Sequence, residues 1–66
     1  MSAALVNPEL VPVGAVKTFG AYGPMYEVLG PAPRGVKGEM VHIRVFFTDE
    51  ELDYPVADML SDPLKP

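Results

Sequence analysis

His42, the single histidine of the chain, lies two residues from Arg44, and carboxylates stand at Glu27, Glu51 and Asp53. Pairing of this segment with its neighbouring strands would bring Glu27 or Asp53 near His42. An imidazole hydrogen-bonded to a carboxylate is the smallest unit that can act as a general base. Nucleophilic catalysis also needs a hydroxyl or thiol beside that base. The chain has no cysteine, and its two serines, Ser2 and Ser61, lie near the two ends of the sequence. The five groups therefore read as a cross-strand ion-pair ladder, in which residues of neighbouring strands face one another. No catalytic residue and no enzyme activity are expected.

Asp49-Glu50-Glu51-Leu52-Asp53 offers carboxylate oxygens to a hard cation. It lacks the spaced ligands and the sharp-turn glycine of a calcium loop. One histidine without cysteine cannot close a zinc site unless carboxylates or a second chain help. No metal or cofactor is expected. Arg34-Gly35-Val36-Lys37-Gly38 is basic and glycine-containing, but it lacks the phosphate-loop spacing and opens no helix. Lys17, Arg34, Lys37 and Arg44, with Tyr22, Tyr26 and Phe46, have the residue types that small barrels use to stack single-stranded nucleic acid. Four cations in a chain of net charge −4 are a thin footprint for a phosphate backbone. Nucleic acid stands as the second reading.

The elements that must position these groups follow from periodicity. Met40–Thr48 alternates, with Val41, Ile43, Val45 and Phe47 on one face and Met40, His42, Arg44, Phe46 and Thr48 on the other. Such alternation of β-branched and aromatic residues predicts a half-buried strand. Glu51–Tyr54 returns as its partner. A two-residue turn at Asp49-Glu50 pairs Phe47 with Leu52 and Val45 with Tyr54. A longer loop, such as a type I turn plus a bulge, is the alternative, because Glu50 tolerates positive φ poorly. Either way Val28, Val41, Ile43, Val45, Phe47, Leu52 and Tyr54 are the expected core.

Ala15–Phe19 and Met25–Leu29 are two further strands, separated by the Gly20–Pro24 turn chemistry. Gly30–Gly38, with two prolines and three glycines, reads as a loop. Pro55 can open a helix carrying Val56, Met59 and Leu60 at i, i+3 and i+4, and Asp62-Pro63 ends it. Asn7-Pro8 can cap one helical turn, although residues 1–13 read rather as a loosely held arm. The domain is expected over 14–63, with 64–66 as a tail. Mostly β, with about four antiparallel strands and a short C-terminal helix, the chain is expected to close into an SH3-like or partly open barrel that hides its edges.

Sixty-six residues bury only about 60% of their unfolded surface, so stability is marginal and self-association is one remedy. The absence of cysteine and of a leader or membrane segment points to the cytoplasm and away from membranes. Asp49–Asp62 carries six acidic residues and no basic one, which fits a solvated face or a basic partner. Phe46 is the outlier. It lies beside Arg44 and His42 on the polar face, so it is either covered by the helix or buried in an interface.

Val16-Lys17-Thr18-Phe19-Gly20, Tyr22-Gly23-Pro24 and Tyr26–Pro31 resemble a family of small uncharacterised bacterial proteins. So do Met40–Val45, Thr48, Glu50-Glu51-Leu52-Asp53-Tyr54-Pro55 and Asp62-Pro63. The family pattern commonly has glycine where this chain has Asp49. The resemblance implies a bacterial origin and brings no activity. The expectation is a protein-interaction module, binding itself or a partner through Phe46, His42, Arg44, Tyr22 and Tyr26, with a regulatory, antitoxin-like output.

Overall fold

The computed structural model describes residues 11–65. Four antiparallel strands form one sheet in sequence order: β1 (Val16–Thr18), β2 (Met25–Gly35), β3 (Gly38–Val45) and β4 (Glu51–Pro55). A short helix, α1 (Val56–Ser61), follows β4 directly. The sheet curls into a half-barrel around a core of Val11, Tyr26, Val28, Val41, Ile43, Val45, Val56 and Met59. The mostly-β class, the four strands and the short helix are as expected.

β2 runs well past its expected end. Gly30–Gly35 is strand, although it contains Pro31 and Pro33. Proline removes a ladder donor and is tolerated where one edge of a strand is free. β1 pairs only with Met25, Tyr26 and Glu27, so beyond Glu27 β2 faces a neighbouring strand on one side alone. Register shifts between Val28 and Gly30 and between Ala32 and Gly35 absorb the irregular residues. Gly38, at φ 99°, closes the tight turn onto β3.

The β3–β4 hairpin takes the longer-loop alternative. Val45 N–H donates to Glu50 O and Asp49 N–H donates to Val45 O, both at 2.7 Å. The strand thus stops at Val45, and Phe46–Asp49 form the loop. Pairing is Val41 with Tyr54, His42 with Asp53, Ile43 with Leu52 and Arg44 with Glu51. Relative to the two-residue turn the register slides by four residues. An even slide keeps every side chain on its face, so Val28, Val41, Ile43 and Val45 are core, and Leu52 and Tyr54 pack against it. Phe47 is the casualty. It lies beyond the end of the alternation, and as the second loop residue it is 90% exposed.

Asp49 closes the loop at φ 61°, the left-handed region where glycine is preferred. Aspartate is among the few residues other than glycine that tolerate this conformation.

α1 starts after Pro55, which is the residue before the helix and not its first residue. Val56 and Met59 enter the core, whereas Leu60 is exposed. Pro63 holds Asp62 extended, at ψ 142°, which ends the helix. The segment after it returns to β1. Leu64 bridges Lys17, Thr18 N–H donates to Pro63 O (3.1 Å) and Lys65 N–H donates to Val16 O (2.9 Å). Residues 64 and 65 therefore cover the outer edge of β1. At the other end residues 1–10 of the expected arm, with its Asn7 cap, lie outside the described residues, as does Pro66. Val11 is in the core and Gly14 N–H donates to Val28 O (2.8 Å).

Candidate functional site

The outer face of β3 carries the expected ladder. His42 Nδ1 lies 2.9 Å from Asp53 Oδ1 and its Nε2 lies 2.9 Å from Glu51 Oε1. Arg44 donates to Glu27 (2.9 Å) on β2 and to Asp49 (3.0 Å) in the loop. A carboxylate oxygen only accepts, so two such bonds require a hydrogen on each ring nitrogen. The imidazolium form of His42 satisfies both contacts at once. Its pKa is raised, first by the bond to Asp53 and then by the bond to Glu51. A general base needs an unprotonated nitrogen free to face a substrate, and this ring has neither nitrogen free. The ladder ties β2, β3, β4 and the loop together across their solvent face. Among the described residues, no group of three or more metal-ligating side chains is placed to hold a metal ion.

A second polar cluster escaped the sequence reading. Asp62 Oδ2 accepts from Tyr26 OH (2.7 Å) and Tyr54 OH (3.0 Å), and Asp62 Oδ1 accepts from Gly20 N–H (3.0 Å). One carboxylate thus joins β2, β4, the β1–β2 turn and the end of α1. The rings of Phe19, Tyr26 and Tyr54 cluster behind it, with centroids 4.5–5.5 Å apart. Burial, and then the bond to Asp62, pushes the Tyr54 phenol up to about 12 and Tyr26 well above the ordinary tyrosine range. Both phenols stay protonated and donating. From sequence, Asp62 signals only a helix end, because its partners lie far away along the chain.

The expected basic, aromatic surface does not assemble. Tyr26 is fully buried and belongs to the core. Lys17 is buried too, and its Nζ donates to Met59 O (2.6 Å) at the carbonyl end of α1. Alternation explains both, since Tyr26 and Lys17 are paired across β1–β2 and point to the same inner face. Arg34 and Lys37 border a groove beside Leu60 of α1, away from Arg44.

What does assemble is apolar. Phe46 and Phe47, Met25, and Tyr22 with Gly23 and Pro24 border an open cleft of about 470 Å³, with Thr18, Ala21 and Lys65 completing it. Tyr22 is 99% exposed. Phe46, 37% exposed, is held at the cleft wall by its backbone N–H on Met25 O (3.1 Å) and by the Arg44 guanidinium 5.3 Å from the ring centroid. Val56 and Met59 of α1 are in the core, and no residue of α1 lines the cleft beside Phe46. Gly23 permits the wall opposite, because a Cβ there would collide with the Phe19 carbonyl. Phe47 and Met25 were not among the expected site residues. Their signal was the loop itself, which moves Phe47 from core to surface.

The described residues thus form a small β half-barrel with an ion-paired outer face and an open apolar cleft. The chain belongs to a family of unknown function (DUF5397), whose model matches residues 4–65. That agrees with the uncharacterised family implied by the strand and hairpin motifs. No curated protein matches the chain. No helix among the described residues is long and apolar enough to cross a membrane.

Proposed function

We propose that this domain is a non-catalytic protein-interaction module of a small bacterial protein, and that the Phe46–Phe47 cleft is its contact surface. The observation that carries this reading is the grouping of Phe47 and Tyr22, 90% and 99% exposed, around one concave apolar surface. Aromatic side chains dominate interface energetics, and a soluble domain this small rarely leaves such a patch uncovered without use. The bacterial setting rests on the motif resemblance, and a regulatory output rests on the small size and the uneven charge.

The nucleic-acid reading loses Lys17 and Tyr26, both buried, and Arg44 is already paired with two carboxylates. The test is affinity capture from a lysate of the source cells, with and without nuclease. Wild type should retain a protein that Phe47→Ser and Phe46→Ser release, and nuclease should change nothing. Equal retention by Phe47→Ser, or loss on nuclease treatment, would defeat the reading.

A further inference from the structure

We infer that the occupant of the cleft is a second copy of this chain, related to the first by a two-fold axis; this rests on the reading of the cleft as an interface. A two-fold interface needs a patch complementary to itself. Here the knob and the hole are neighbours. Phe47 projects at 90% exposure from the rim of the cleft that Phe46, Met25, Tyr22 and Pro24 line. A two-fold operation through that rim seats each Phe47 in the cleft of the other copy, with Tyr22 against the incoming ring.

Charge does not block this approach. The charged residue lining the cleft is Lys65, and Asp49 of the neighbouring Phe46–Asp49 loop is already paired with Arg44. Glu51 and Asp53 are turned to His42 on the outer face of β4. A dimer joined instead through β4 edges would set the acidic residues of one Glu51–Asp53 segment against those of the other, a costly like-charge juxtaposition.

The area sets the affinity class. Two nearly bare aromatics, with the exposed parts of Phe46 and Met25, offer roughly 500 Å² per copy, or roughly 1,000 Å² in all. That is the lower edge of a specific interface, so the dimer is weak and reversible. It also supplies the extra burial that a chain of this size lacks.

The experiment is sedimentation velocity on the full chain from about 10 μM to about 1 mM, the range in which so small an interface titrates. Wild type should shift from monomer towards dimer. Phe47→Ser and Tyr22→Ser, each with unchanged circular dichroism, should weaken dimerisation at least ~10-fold, as loss of a central aromatic anchor does. In a sample mixing isotope-labelled and unlabelled chains, intermolecular nuclear Overhauser effects should join the Phe47 ring to Tyr22 and Met25. A wild type that stays monomeric at the highest concentration overturns the second copy as occupant. The interaction reading then stands or falls separately on whether the captured protein is released by Phe47→Ser. Dimerisation equal to wild type in both variants overturns the cleft as the dimer surface.

Discussion

Asp62→Ala should be the most damaging single change outside the apolar core. Three donors lose their acceptor: Tyr26 OH, Tyr54 OH and Gly20 N–H. The Gly20 amide is exposed and water replaces the carboxylate at little cost. The tyrosine bonds are partly buried. Losing the charged acceptor of such a bond costs about 1.5–3 kcal/mol when the donor stays dry. Tyr26 has no exposed surface, so its hydroxyl lies at the upper end, and half-buried Tyr54 at the lower end. The total is about 3–5 kcal/mol. A chain of 66 residues has roughly 3–10 kcal/mol in all. Urea unfolding followed by circular dichroism should therefore show Asp62→Ala near or past its midpoint without denaturant. Tyr26→Phe leaves Asp62 with two donors and should cost only about 1–1.5 kcal/mol. The two changes should be strongly non-additive, because the first removes what the second disrupts. If the double mutant is too unstable, Asp62→Asn, which keeps one acceptor oxygen, serves for the cycle. An Asp62→Ala variant within 1 kcal/mol of wild type, or strict additivity with Tyr26→Phe, would refute the lock.

The tyrosines also set an alkaline limit. Tyr54 and Tyr26 are raised above the unfolded value of about 10, so their contribution is intact below pH 10 and is lost as pH rises; between about 10 and 12 the unfolded chain releases protons that folded Tyr54 keeps. Denaturant midpoints should fall through that window, and less so in Tyr54→Phe. His42 has the same sign at lower pH: raised in the fold, it contributes fully below about 6.5 and less as pH climbs through its folded value. Because the pair is exposed, the effect is at most about 1 kcal/mol, and His42→Gln should abolish it in a pH series of urea midpoints. Ile43→Ala should cost about 2–5 kcal/mol and Phe47→Ser less than about 0.5 kcal/mol, as read from the same unfolding curves. Asp49→Val should cost about 1–2 kcal/mol through its positive φ, and Asp49→Gly should be tolerated, as thermal melts would show.

Faces were legible in the sequence where registers were not. The alternation from Met40 to Val45 placed His42 and Arg44 outside and Val41, Ile43 and Val45 inside, and the even slide of the hairpin left those assignments intact. It could not say where the strand stops, because Phe46 and Phe47 are as strand-prone as their neighbours. The stop comes from the Asp49 backbone and its bond to Val45. The proline-bearing end of β2 was misread because its free edge exists only once β1 is known to be short. Lys17 looked like a surface cation since nothing local reveals the Met59 carbonyl, 42 residues away, that receives it. Asp62 was hidden for the same reason.

The return of residues 63–65 to the outer edge of β1 has a consequence for synthesis. A ribosome delivers β1 early, but Lys17 meets its carbonyl partner, and Gly20 its carboxylate, only after 42 further residues. Until then the nascent first strand has an unsealed edge and an uncovered lysine, and the Tyr26 hydroxyl of β2 waits for its acceptor. Vectorial production thus gives the chain no stable amino-terminal half. Nascent chains arrested before Asp62 should remain protease-sensitive, and resistance should arise as one step once residues 62–65 have left the exit tunnel.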